Sequence, residues 1–254
     1  MKVGVISGNK IPDFISDYDE VTIDTDYGSI QTKICSLDNH TVFFISRHGI
    51  KADLPPHKVM YHANIQALAA SHVNYIIGIG TVGSLQKQIL PGEFVIPHDF
   101  IDMTKNRRNT FFDTARIHVD FTQPFCQNIR KALIHQSKKI CESDVHNKGI
   151  YLVTEGPRLE TVAEINMFQK FADIVGMTLS PEAVLARERG ICYASLCIVC
   201  NMAAGMQKML SAEEIVEVYK EKESTLSTII KNTIIALENI DGCNCSAVLD
   251  KASL

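Results

Sequence analysis

No apolar run in this sequence reaches the roughly 20 residues that a bilayer crossing needs. The longest, residues 191–200 (ICYASLCIVC), falls well short. The N-terminus, MKVGVISGNK, has too brief an apolar stretch for a signal peptide and no small-residue cleavage pattern. It reads as a first strand, and the chain as cytoplasmic with no membrane partner. A surplus of basic residues is also missing: Lys+Arg 25 against Asp+Glu 29 leaves a net charge of −4. That balance argues against nucleic acid, whose binders usually carry a basic footprint. There is no internal repeat, low-complexity tract, charge block or Pro/Gly/Ser-rich linker, so one domain is expected. Neither the Walker loop nor the dinucleotide fingerprint is matched. Cys197-x-x-Cys200 has no second pair at zinc spacing and sits in a strand-like run, so no metal is expected.

What is present fits an ordinary globular chain: 254 residues, 46% hydrophobic, with 14 Gly and 8 Pro. A chain of this size buries roughly 70–75% of its unfolded surface and needs no disulfide or metal to fold. Cysteine is the one excess. Eight stand at 35, 126, 141, 192, 197, 200, 243 and 245, several inside apolar runs as buried reduced thiols are. Cys243-x-Cys245 near the end leaves a redox pair open.

Short β-branched runs alternate with helical stretches, which marks an α/β fold. Strands are expected at 2–6, 41–46, 73–78, 94–96, 150–154, 174–177 and 192–199. Several are apolar on both faces, as central strands covered from both sides are. Helices are expected over 56–71, after Thr161 with Glu164 as a capping box, and from Ser180-Pro181-Glu182 to Gly190. A long one should follow Ser211, with Ile215, Val218, Tyr219, Leu226, Ile229, Ile230 and Leu237 inward. Residues from about 241 onward read as a loose tail.

Polar groups gather where these strands end, as ligand sites in open α/β sheets do. Arg47-His48-Gly49 follows one strand, and a guanidinium beside an imidazole suits phosphate or carboxylate. Gly80-Thr81-Val82-Gly83-Ser84 follows another, and its small residues can bare backbone N–H groups to an anion. Glu155-Gly156-Pro157-Arg158 presents Glu160 to the ring N–H of a heterocycle. Met177 offers a polarizable face to a sugar, and Thr178 a hydroxyl to phosphate. Asn201 ends the last strand and both donates and accepts, which suits a base edge. The plain alternatives are surface turns for the polar residues, a helix-capping acid for Glu160 and a core position for Met177.

At these residues the chain resembles the trimeric purine nucleoside phosphorylases, and within them the methylthioadenosine/methylthioinosine branch. The carriers are Arg47-His48-Gly49, Lys58-Val59-Met60-Tyr61-His62-Ala63-Asn64-Ile65, Gly83-Ser84-Leu85, Phe100-Ile101-Asp102, Glu155-Gly156-Pro157-Arg158, Val175-Gly176-Met177-Thr178 and Pro181-Glu182-Ala183. They extend from Val3 to about Leu237. The resemblance implies a three-layer single domain over 1–240, a central mixed sheet flanked by helices, with residues 241–254 as a C-terminal tail. It implies attack of inorganic phosphate on C1′ of a purine nucleoside, with no cofactor and no metal, in a homotrimer with shared sites. By the same resemblance Asn9, Arg47, His48, Gly80, Thr81 and Thr178 hold phosphate. Met177, Glu160, Asn201, Met202 and Ala203 hold ribose and base, with Asn201 and His48 catalytic. His118 from a neighbouring subunit serves the 5′ pocket together with Ala212 and Val216.

Two departures from the family pattern are informative. The family's Gly-Gly-Thr-Gly phosphate loop reads Ser7-Gly8-Asn9-Lys10 here. The two aspartates of the adenosine-specific branch are Asn201 and Ala203. With Glu160, these favour a 6-oxopurine over adenine. The apolar Ala212 and Val216 favour a methylthio group over a 5′-hydroxyl. A general inosine/guanosine phosphorylase and a methylthioadenosine phosphorylase are the alternatives.

Overall fold

In the computed structural model, which describes residues 1–8, 15, 17–208, 211–237, 242–250 and 252–253, the apolar runs become the middle of one mixed sheet. Its strands are β1 (Lys2–Ser7), β2 (Asp19–Thr25), β3 (Gly28–Leu37), β4 (His40–Ser46), β5 (Tyr75–Ser84), β6 (Phe94–Val95), β7 (Asp99–Asp102), β8 (Val145–His146), β9 (Ile150–Val153), β10 (Ile174–Gly176) and β11 (Cys192–Met202). The helices are α1 (Tyr61–Ala70), α2 (Gln127–Cys141), α3 (Val162–Phe168), α4 (Leu179–Glu188) and α5 (Ala212–Ala236). None among the described residues is long and apolar enough to cross a membrane.

The strand order is β2-β3-β4-β1-β5-β10-β9-β7, with β11 on the far edge of β5 and β6 and β8 beyond it. Apolar side chains on the two sheet faces form separate cores. One packs Leu68, Ala183 and Ala186 of α1 and α4; the other packs Ile129 and Leu133 of α2 with Ile229 and Ile230 of α5. The result is three layers, helices on a mixed sheet on helices, as expected.

Several elements differ from the sequence reading. The stretch 56–71 splits into a 3-10 turn, Pro56–Lys58, and α1. The small-residue segment 79–84 is not a turn but continues β5, because β11 pairs with it along its whole length. The segment 242–250 is not loose. It forms a 3-10 turn at Ser246–Leu249 and buries Cys245, and further on Ala252 accepts a hydrogen bond from the His118 backbone N–H at 2.8 Å. The domain boundary at 240/241 lies outside the described residues.

Thr161 caps α3 with the full box: its side chain accepts from the Glu164 N–H, and Glu164 accepts from the Thr161 N–H. At α5, Ser211 accepts from the Glu214 N–H, but the Glu214 carboxylate turns to Gln207 instead. Ser180 has extended dihedrals (φ −104°, ψ 136°) just ahead of Pro181, so the regular part of α4 starts where the Ser-Pro-Glu signature places it. The Ser180 hydroxyl donates to Asp102 rather than to the helix.

The pairing pattern leaves an opening. β1 runs parallel to β5 and its register ends at Ser7↔Ile79. β10 runs antiparallel on the same edge of β5 and starts pairing only at Val175↔Gly83. Among the described residues, Gly80–Val82 therefore has no strand on that edge. The C-terminal ends of β1 and β10 converge on the gap.

Candidate active site

A cavity of about 200 Å³ opens at this gap. Gly8, Arg47 and His48 form one side, Ile79, Thr81 and Gly83 of β5 the floor, and Met177 and Thr178 the opposite side. Glu160, Asn201 and Ala203 close the end farther along β5. Ile79 and Gly83 are four residues apart, about 13 Å along a strand. The Arg47 and Asn201 ends of the cavity are separated on that scale.

Arg47 is 4% exposed, and four of its five N–H groups have partners. Its Nε and Nη2 donate to the two carboxylate oxygens of Glu182 at 2.7 and 2.8 Å. Nη1 and Nη2 also donate to the carbonyls of Ile79 and Ile6 at 2.7 and 3.2 Å. The fork thus bridges the ends of β1 and β5 at the gap. The Tyr193 hydroxyl donates to Glu182 Oε1 at 2.8 Å. Burial alone would push the Arg47 pKa down, but the bidentate Glu182 carboxylate outweighs it and raises the pKa.

His48 is fixed at Nδ1, 2.7 Å from the Leu54 carbonyl. A carbonyl only accepts, so Nδ1 carries the proton and Nε2 keeps its lone pair. Burial lowers the imidazole pKa, the Leu54 carbonyl partly offsets this, and the Arg47 charge lowers it further. Gly8 makes room for the ring: a Cβ there would lie 2.9 Å from His48 Cδ2. Positive charge at this end is thus lower than residue types suggest, since Arg47 is neutralised and His48 is uncharged. Lys10 and Asn9 lie outside the described residues.

At the other end, the register of β11 slips between Val199↔Val82 and Asn201↔Gly83. Cys200 is the extra residue of this bulge, which re-aims the next side chain. The Asn201 amide lies against Gly83, whose missing Cβ would come within 3.1 Å of Nδ2. Nδ2 donates one N–H to the Met202 carbonyl at 2.9 Å, leaving its second N–H and its oxygen for a ligand. Thr154 donates to Glu160 Oε1 at 2.6 Å and orients that carboxylate. Burial pushes the Cys200 thiol, also in the wall, up to about 12, so it stays protonated.

Of the residues expected here, Arg47, His48, Thr81, Thr178, Met177, Glu160, Asn201 and Ala203 line the cavity. Gly80 does not. Strand alternation turns its side toward Cys197, whose Sγ would lie 3.3 Å from an added Cβ, and leaves only its backbone on the open edge. Met202 is also off the wall; its N–H donates to Gln207 at 2.8 Å. Ala212 and Val216 are exposed and out of helical phase, and Ile215 between them lines the cavity instead. His118 is exposed outside the cavity of its own chain.

Sequence reasoning missed the supports. Glu182 stands 135 residues from Arg47, and a Pro-Glu helix start offers no hint of that pairing. Arg107 donates to the carbonyls of Met177, Ser180, Thr154 and Glu155, so it ties the β10–α4 turn to the end of β9. Its isolated position in a polar loop gave no signal.

A family model described as the phosphorylase superfamily matches residues 2–235. A probable S-methyl-5′-thioinosine phosphorylase of Methanothermobacter thermautotrophicus is 42% identical, over 99% of this chain and 90% of its own length. From Pyrococcus furiosus, an S-methyl-5′-thioadenosine phosphorylase is 38% identical over 98% of this chain and 97% of its own. A 6-oxopurine nucleoside phosphorylase of the same organism is also 38% identical, over 99% of both chains. Among solved structures, a methylthioadenosine phosphorylase from an antarctic soil metagenomic library superposes with a TM-score of 0.92 at 32% identity, over 99% of this chain and 92% of that one.

Two outcomes follow from this geometry. Glu182→Gln leaves the buried guanidinium without its counter-charge and should lower unfolding stability by about 3–5 kcal/mol in urea titration; a loss under about 1 kcal/mol contradicts the role given to the pair. His48 should titrate below 6.5 in an NMR pH series. Its folded pKa is the lower one, so its contribution to stability is complete above pH 6.5 and is lost as pH falls through the folded value.

Proposed function

The chain belongs to the phosphorylase superfamily, and from that premise we propose that it is a pentosyltransferase that cleaves a 6-oxopurine nucleoside with inorganic phosphate. The preferred substrate is S-methyl-5′-thioinosine, giving hypoxanthine and 5-methylthioribose 1-phosphate for purine salvage. The observation that carries this reading is the cavity's division of labour along β5: Arg47, His48, Thr81 and Thr178 at one end, Met177 between, Glu160 and Asn201 at the other.

Phosphate sits at the sheet gap. Thr178 is the N-cap of α4, and its side chain makes no cap hydrogen bond, which leaves the hydroxyl for an anion. Open-edge amides of β5 and the Thr81 hydroxyl add neutral donors. His48 Nε2 accepts from a protonated phosphate oxygen or a ribose hydroxyl. Phosphate is already an anionic nucleophile, so attack needs no side-chain base. Holding it under C1′ supplies much of the acceleration.

The glycosidic bond breaks through an oxocarbenium-like state, as in other glycosyl chemistry. Met177 covers the ribose. Charge moves onto the departing base, where Asn201 donates to the 6-oxo group and stabilises it. Glu160 accepts the N1–H that a 6-oxopurine has and adenine lacks. Ala203 offers no carboxylate to a 6-amino group. The 5′ end rests on Ile215, an apolar side chain suited to a methylthio group.

The reading includes a cytoplasmic homotrimer in which each chain lends His118 to a neighbouring pocket. The exposure of His118 outside its own cavity supports this. Inorganic phosphate is the co-substrate, and no cofactor is required.

The test is base release from methylthioinosine, methylthioadenosine, inosine and guanosine in parallel, with and without phosphate. Methylthioinosine should react fastest and only with phosphate. Release without phosphate, or faster release of adenine, overturns the reading. Asn201→Ala should cut turnover of 6-oxopurine nucleosides by about 10²-fold, the scale for one preorganised donor. Asn201→Asp should shift preference toward adenine nucleosides; unchanged selectivity contradicts the assignment.

A further inference from the structure

Half of the cysteines meet at one point that the cavity does not use. The Sγ atoms of Cys126, Cys192, Cys243 and Cys245 all lie within 4.8 Å of one another. They arrive from three remote places: the N-cap of α2, the first residue of β11, and the segment that returns to the body after α5. Cys126, Cys192 and Cys245 are buried and Cys243 partly so. Neither the pairwise spacing in sequence nor Cys243-x-Cys245 alone announces a four-sulfur site.

Hydrogen-bond donors face two of the four sulfurs. Arg187 Nη1 donates to Cys245 Sγ at 3.7 Å. The backbone N–H groups of Asn128 and Ile129, in the first turn of α2, face Cys126 Sγ. Such donors stabilise a thiolate and gain little from the neutral sulfur of a disulfide. Four thiolates around a divalent ion carry a net charge of −2, which these N–H groups partly offset.

The dimensions also fit. Zinc–sulfur bonds of about 2.3 Å in a tetrahedron put the sulfurs about 3.8 Å apart. Cys192 and Cys243 stand at 3.0 Å, so that edge must open on binding by less than 1 Å.

We propose that Cys126, Cys192, Cys243 and Cys245 form a closed tetrathiolate site for a soft divalent cation, zinc first among them. On binding, the thiols release their protons to solvent, four sulfur–metal bonds form, and nothing is oxidised or reduced. With all four positions filled by protein the ion has no open coordination site, so its role is structural. It pins the C-terminal segment, which in turn holds Ile117–His118 through Ala252 and Ser253. The site is independent of the substrate assigned above.

The full chain, reduced and stripped by chelator, is titrated with Co²⁺ and then Zn²⁺. About one ion should bind per chain. Cobalt should show sulfur-to-metal charge transfer and intense tetrahedral d–d bands, bleached by zinc, and zinc should raise the melting temperature. Cys243→Ser and Cys245→Ser should each lose the tetrathiolate spectrum, while Cys141→Ser, outside the cluster, keeps it. Circular dichroism reports whether the variants fold, and if they do not, the wild-type stoichiometry and spectrum decide. The proposal is overturned if the reduced wild-type chain binds no stoichiometric metal, or if the spectrum survives both cluster variants. Mass spectrometry of thiol-blocked protein showing two internal disulfides in their place overturns it as well.

Discussion

The Arg47–Glu182 ion pair holds the pocket together. Its two members are almost fully buried, and their attraction repays the desolvation only because every carboxylate oxygen and most guanidinium N–H groups have partners. The pair joins four elements at one point: β1 through Ile6, β5 through Ile79, α4 through Glu182 and β11 through Tyr193. Each also contributes to the cavity wall: Gly8 after β1, Ile79, Thr81, Val82 and Gly83 of β5, Thr178 at the N-cap of α4, and Cys200 and Asn201 of β11. A lysine in place of Arg47 would keep the charge but not the planar fork that spans them.

One consequence concerns how an anion is held. A guanidinium already matched to a carboxylate contributes orientation and a residual N–H rather than net charge. The burden then falls on hydroxyls, open-edge amides and a neutral imidazole. In the proposed reading, phosphate is therefore oriented by dipoles and neutral donors more than by net positive charge. The mild acidity of the whole chain is compatible with this, because the interaction is set by local dipoles.

Much of the fold was legible because central strands announce themselves. β1, β4, β10 and β11 are runs apolar on both faces, the pattern of strands covered from both sides. β2 and β3 were not, since β2 is exposed and acidic and β3 mixes polar residues with its buried Ile30, Thr32 and Cys35, as loop sequence also does. Segment 79–84 looked like a turn by composition; the pairing that makes it a strand is contributed by β11, more than a hundred residues later. For the site, polar residues at the ends of successive strands pointed together to Arg47, His48, Thr178, Glu160 and Asn201, which line the cavity, although each alone also fitted a turn, a cap or a core position. Phase within an element was harder. The choice of Ala212 and Val216 over Ile215 turned on a rotation of about 100° per residue, which sequence at a helix start does not settle. Glu182, Arg107 and the four-thiol cluster are products of long-range contact and have no local signature.

The bulge at Cys200 bears on how such pockets diversify. Because the extra residue absorbs the register slip, the side chain at 201 is turned into the cavity while the ladder resumes at once with Met202↔Ser84. The ladder is made of backbone groups, so an exchange of side chain at 201 changes what faces the cavity; a carboxylate there would lose the bond that Nδ2 gives the Met202 carbonyl and would set two acceptors together. Under the proposed reading, position 201 retunes which purine edge is recognised through side-chain chemistry, at a cost local to that side chain and its Met202 bond.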